Sequence, residues 1–142
     1  MNAYAVSKKS GNIPKILFLF LNGGVLYYAI EIFWRGWSHW SMALCGAVCF
    51  ALMYRFNRRH AKTLLVLRAL FGALLITATE LCAGTVLNLW LRMNIWDYHD
   101  MPLQFLGQIC LPYSVLWFLL CIPVFAFCTV IRRAFFPEDE RE

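Results

Sequence analysis

Charge is scarce in this chain of 142 residues, where Asp, Glu, Lys and Arg together make up 15%, against roughly 25% in an ordinary soluble domain. Several catalytic and binding signatures are missing as well. There is no G-x-x-x-x-G-K-[ST] phosphate loop, so the chain cannot energise transport with ATP by itself. Neither G-x-S-x-G nor H-E-x-x-H occurs, which removes the commonest hydrolase patterns. The six cysteines (Cys45, Cys49, Cys82, Cys110, Cys121 and Cys128) form no C-x-x-C pair and meet no His at finger spacing. A disulfide framework and a zinc finger are therefore not expected, and the thiols read as small apolar side chains. The formal charge of +5 lies at the ends of apolar runs and not in a polar domain with interleaved aromatics, so no nucleic-acid partner is expected. No cofactor motif and no metal-ligand set of good spacing is present.

What fills the chain is apolar surface: 61% of residues are hydrophobic and 17% aromatic. Four long apolar runs, together more than half the length, exceed what one small core can hide, so lipid is expected to cover them. The expectation is an all-α membrane protein, a single multi-pass domain over 1–142, with spans at about 16–34, 40–56, 63–90 and 111–131. The second run is at the short limit for crossing a bilayer. Arg68, near the start of the third, is placed to snorkel to the headgroups. The polar stretch from Met1 to Pro14 is followed by no small-residue cleavage site, so the first run reads as a retained anchor. Pro112 suits the first turn of the last helix, whereas Pro123 lies inside it. The charged tail 132–142 is expected to fray.

Lys and Arg alternate in density along the flanks: Lys8, Lys9 and Lys15; Arg35; Arg55, Arg58, Arg59 and Lys62; Arg92; then Arg132 and Arg133. The positive-inside rule then predicts cytoplasmic termini and middle loop, with the Arg35 and Arg92 loops outside, as for a plasma-membrane protein.

Two carboxylates interrupt the apolar runs. A charged side chain at the centre of a spanning helix costs about 2.5 to 3.5 kcal/mol on insertion scales, so each needs a partner, a cavity or a proton. Glu31 and Glu80 lie at similar distances from the inner ends of their helices. Each follows a glycine by eight positions, Gly23 and Gly72, which suggests two repeated helical hairpins; packing against small residues explains the same pattern without duplication. Glu31 and Arg35, at i and i+4, suit either a structural ion pair or part of a site. Glu80 has no basic residue at i±3 or i±4 and needs a partner from elsewhere. The expected polar site at the outer face comprises Glu31, Arg35, His39, Glu80, Trp96, Asp97, Tyr98, His99 and Asp100. Trp34, Trp37, Trp40, Trp90 and Trp96 also fit an interfacial aromatic belt. Asp97, His99 and Asp100 have a spacing too unspecific to argue for a metal ion. Ser38 and Ser41 flank His39, but neighbours on a short turn rarely form a nucleophile and base.

The stretch ELCAGTVLNLWLRMNIWDYHDMPLQFLGQICLPYSVLW, Glu80 to Trp117, resembles the signature of the CmpB-like family labelled putative ABC transporter type IV, as does IEIFWRGWSHWSMALCGAVCF from Ile30 to Phe50. Transmembrane protein 229 is a relative of that family. One departure is visible, His99 standing where the pattern has Ser. The resemblance implies a multi-pass membrane protein and a permease-like transporter component. So small a permease requires self-association or a separate ATPase subunit, whose contact would fall in the loop from Arg55 to Lys62. Two alternatives stay open: an enzyme acting on a lipid or lipid-linked substrate, with the carboxylates and His39 or His99 as acid and base, and a structural or regulatory subunit of a membrane complex.

Overall fold

A computed structural model describes the backbone of residues 3–140 and the side chains of residues 12–139. The chain is 77% helical. Helix α1 spans Ala3–Arg35, α2 Trp40–Arg59, α3 Leu65–Gly84 and α4 Leu111–Phe135. A π-helical turn, Thr85–Trp90, extends α3, and a two-stranded antiparallel hairpin, β1 Gln104–Phe105 and β2 Ile109–Cys110, precedes α4. A 3-10 turn, Pro137–Glu140, follows it.

Three stretches are long and apolar enough to cross a membrane: Asn12–Arg35, Leu65–Trp90 and Leu111–Phe135. At about 1.5 Å per residue each exceeds the ~30 Å hydrocarbon core. Their outer faces carry exposed Leu17, Leu21, Val25, Leu70, Leu74, Leu119 and Val130, an apolar surface of a kind that water-soluble monomers seldom show. Helix α2 is not among the three. Its small residues dilute its apolar content, and Tyr54, Arg55, Asn57, Arg58 and Arg59 make its last turns polar.

Packing divides the chain into two compact units, residues 1–52 and 53–142. In the first, the buried side of α1 is the i+4 row Leu19, Gly23, Tyr27 and Glu31, and that of α2 includes Met42, Gly46, Cys49 and Phe50. Glycine lets these helices approach closely. A Cβ on Gly23 would lie 2.9 Å from the Gly46 carbonyl oxygen, and one on Gly46 would lie 2.7 Å from Cγ of Tyr27. Small residues at such crossings are how helices gain van der Waals contact where lipid supplies no hydrophobic drive.

In the second unit α3 buries Ala69, Gly72, Ala73, Ile76, Glu80 and Gly84 against Trp117, Cys121, Phe125 and Cys128 of α4. A Cβ on Gly72 would fall 2.6 Å from Sγ of Cys121. Phe56, near the end of α2, stacks on Phe71 with ring centroids 3.9 Å apart. Arg68 donates from Nη1 to Oδ1 of the buried Asn57, whose Nδ2 donates to Oγ1 of Thr129 at 3.1 Å. Its charge is therefore met by a side-chain network within the unit.

Two expectations need correction here. The third run is not one α-helix, since its last turn is π-helical: Leu91 N–H donates to the Val86 carbonyl, five residues back, and Arg92 and Asn94 adopt positive φ. Nor does the tail fray over 132–140. Asp139 is only 6% exposed; its carboxylate accepts from Tyr54 Oη at 2.7 Å and from Arg58 Nη1 at 3.1 Å. Phe136 meets the Tyr54 ring edge-on. One of the charges that suggested solvation, Asp139, is the group that pins the segment down.

Gly72→Val is expected to lower stability by about 1 to 3 kcal/mol through overpacking, read as a lower midpoint of thermal unfolding in detergent. Asp139→Asn removes the ion pair with Arg58, and faster cleavage after residue 135 in limited proteolysis is expected, with the helices left intact.

Candidate functional site

In the first unit the end of α1 and the bend after it form a polar cluster. Gly36, at φ +79°, turns the chain so that Ser38 comes back to Glu31; a side chain there would be strained because only glycine enters that region freely. Ser38 Oγ donates to Oε2 of Glu31 at 2.6 Å. The expected pairing of Glu31 with Arg35 is present, Nη2 lying 3.6 Å from Oε1, a distance for an ion pair and not a hydrogen bond. The Arg35 guanidinium also sits 4.7 Å from the centroid of the Trp37 ring. His39 lies apart from Glu31 in this bonding pattern, its Nδ1 being 2.7 Å from Oγ of Ser41. Ser38, considered in the sequence only as a nucleophile, is instead the hydroxyl that solvates a buried carboxylate.

In the second unit Glu80, Gly84 and Asn88 follow one another at i+4 and are all buried. Gly84 is small for a reason: a Cβ there would lie 2.9 Å from Cβ of Gln108. The side chain of Gln108 thereby reaches Asn88, whose Nδ2 donates to Gln108 Oε1 at 2.8 Å and to the Trp96 carbonyl at 3.0 Å. Asn88 Oδ1 accepts the Ile95 N–H at 2.7 Å. Trp96 Nε1 donates to the Gln108 carbonyl at 3.0 Å, and Gln108 Nε2 donates to the Leu106 carbonyl at 2.9 Å. Two buried amides thus fasten the loop and the β1–β2 hairpin to the end of α3, with their polar atoms satisfied as burial requires.

Trp96 is a further correction. Trp34, Trp37, Trp40 and Trp90 are exposed as belt residues should be, but Trp96 is only 6% exposed and serves the amide network. Below the network, Glu80 is 5% exposed. The thiol of Cys110, at the start of α4, is pushed up, chiefly by burial. One helical turn away, Thr77 Oγ1 and Ser114 Oγ lie 3.1 Å apart between α3 and α4. The α3–α4 interface therefore carries a row of polar groups running from Thr77 to Asn88.

The remaining expected residues lie on the outside of this loop. Asp97, His99 and Asp100 are exposed. Asp97 Oδ1 accepts from the backbone N–H of His99 at 2.9 Å and from its ring, and these bonds hold the Asp97 carboxyl below its usual range. The His99 ring fills the space that a side chain on Gly107 would need. Tyr98 stacks on Tyr113 at 4.8 Å, and its N–H donates to the Gly107 carbonyl at 2.8 Å. Among the described residues, no three His, Cys, Asp or Glu side chains converge as a metal site would need.

Thr77, Asn88, Gln108 and Ser114 are the polar-row members that the sequence reading missed. The i+4 spacing of Glu80, Gly84 and Asn88 is a signal in the sequence for Asn88 alone.

Long apolar helices with polar groups between them define a class, the α-helical membrane proteins with a polar interior. Residues 40–138 match the family model described as "Putative ABC-transporter type IV", and the chain belongs to that family. The matched segment contains Glu80, Asn88, Trp96 to Asp100 and Gln108, and begins after Glu31, Arg35 and His39. No curated protein and no solved structure matches the chain.

Asn88→Leu would leave the Ile95 N–H and the Trp96 carbonyl without their partner, at about 1 to 3 kcal/mol per buried group. Faster protease cleavage between residues 91 and 103 is expected, while Leu89→Ala, on the exposed side of the same turn, should leave cleavage unchanged.

Proposed function

We propose that this chain is the membrane-spanning, permease-like component of a transporter, and that the polar row of α3 and α4, centred on Glu80, receives the transported ion or solute. The observation that carries this reading is the burial of Glu80 on α3, one turn beyond Thr77, whose hydroxyl lies 3.1 Å from that of Ser114 on α4. Intramembrane carboxylates facing a protein interior mark ion and substrate pathways, and the family to which the chain belongs bears a transporter description. In this reading α2 is a fourth span, short and weakly apolar, both termini are cytoplasmic and the membrane is the plasma membrane. The alternation of Lys and Arg along the flanks supports that orientation. The segment Trp96 to Asp100 closes the outer end of the row, held by Asn88 and Gln108. Glu31, Arg35 and Ser38 form a polar cluster at the end of α1, and His39 pairs with Ser41 beyond it.

The chain has no phosphate loop, so energy comes from a separate ATPase subunit. That subunit contacts the basic turn from Arg55 to Lys62, and self-association completes the permeation path. The experiment is purification of the tagged full chain from native membranes, followed by reconstitution of whatever accompanies it. An ATP-hydrolysing subunit is expected to co-purify. Glu80→Gln should retain that subunit and lower solute uptake at least about tenfold, the effect of roughly 1.4 kcal/mol at the site. Uptake that is unchanged by Glu80→Gln contradicts the assignment of Glu80, and a chain that purifies without any ATPase contradicts the transporter reading.

A further inference from the structure

A groove of about 420 Å³ opens on the first unit, lined by Gly24, Val25, Tyr28, Ala29 and Ile32 of α1 and by Ala43 of α2. Its volume falls within the roughly 300 to 1,000 Å³ of small-molecule sites, and its walls are almost wholly apolar. On α1, Val25, Tyr28, Ile32 and Arg35 are spaced by three, four and three residues, so they share one face of the helix. Arg35 follows Ile32 by about 4.5 Å along the axis. The groove therefore runs towards a guanidinium.

That guanidinium is incompletely bonded. Its side chain keeps 19% of its exposure, but Nε and Nη2 are themselves buried, and among the described residues neither has a hydrogen-bond acceptor. Glu31 is 3.6 Å from Nη2 and its other oxygen is engaged by Ser38. Nε and Nη2 together form the edge of arginine that grips a phosphate or carboxylate with two parallel bonds. Trp37 lies against the face of the guanidinium on the bend that follows Gly36. Three exposed tryptophans, Trp34, Trp37 and Trp40, surround this level of α1, and such residues settle at the headgroup layer. Apolar groove, unfilled arginine edge and aromatic belt thus follow the order of a phospholipid: chain, phosphate, interface.

We infer that the α1–α2 groove and Arg35 form a binding site for one anionic phospholipid, with an acyl chain between Gly24 and Ile32 and the phosphate on the Nε–Nη2 edge of Arg35. The site lies almost entirely outside the segment shared with the family. It rests on the membrane reading of α1 and not on transport, so the uptake of the Glu80→Gln variant and the lipid occupancy of this groove fail independently.

The test uses the full chain in nanodiscs of phosphatidylcholine doped with phosphatidylglycerol, with retained lipid counted by native mass spectrometry after delipidation. Wild type is expected to retain one phosphatidylglycerol in preference to phosphatidylcholine. Arg35→Gln should cut that preference about tenfold or more, as loss of a charge-assisted bidentate contact predicts, and Arg35→Lys should restore part of it. Ala29→Phe, an exposed position that fills the groove without entering the core, should abolish retention of both lipids. Equal retention of the two lipids by wild type, or an unchanged preference in Arg35→Gln, overturns the inference. So does inorganic phosphate that competes equally well in wild type and Ala29→Phe, because the anion would then bind without a chain. Disulfide-linked dimers through an Ala29→Cys variant would place a second copy in the groove and likewise overturn it.

Discussion

Hydrocarbon offers no hydrogen bond to a carbonyl, an amide or a carboxylate, and an unpaired polar group there costs several kcal/mol. Everything in this fold answers that constraint. The apolar stretches take up their own backbone groups by becoming helices, and exposed leucines and valines such as Leu17, Val25, Leu74 and Val130 cover their outer faces. Several polar groups inside are met by another group of the protein: Ser38 on Glu31, Asn57 on Arg68, Gln108 on Asn88. The loop before α4 shows the same logic at the edge of the bilayer, where irregular backbone is closed by two buried amides and an indole N–H.

Close helix approach is the second consequence. Since lipid tails are as apolar as leucine, helices associate by contact and not by exclusion of water. Gly23 and Gly46 in the first unit and Gly72 in the second sit where any side chain would strike the neighbouring helix. Gly84 performs a related but distinct service, clearing the space through which the Gln108 side chain reaches the end of α3. In each unit a packing glycine precedes a buried glutamate by eight residues on the same helix, so the device that brings helices together stands two turns from the group that most needs shelter.

Hydropathy makes the cores of α1, α3 and α4 legible in the sequence, because a run of some twenty apolar residues has few other fates. The pairing of Glu31 with Arg35 is legible too, since i and i+4 neighbours meet on any helix. The tail is not. Asp139 is bound by Tyr54 and Arg58, more than eighty residues away, and no local pattern announces so distant a partner. Trp96 misleads for a similar reason: a tryptophan near a helix end reads as a belt anchor until the buried carbonyl of Gln108 claims its N–H. Asn88 and Gln108 are ordinary amides in the sequence, and only the hairpin that returns Gln108 to Gly84 turns them into a clasp. The π-helical turn that sets Asn88 in place leaves no mark in a periodicity of 3.6.

On this reading α3 and α4 are a lipid-covered pair, and the loop between them is clasped to the end of α3 by Asn88 and Gln108. Hydrogen exchange of the full chain in lipid nanodiscs tests it most directly. Amides of Leu65–Gly84 and Leu111–Phe135 should stay protected for hours and that of Ile95 nearly as long, while those of residues 99–103 exchange quickly. Exchange within α3 at the rate of the exposed loop would contradict the account.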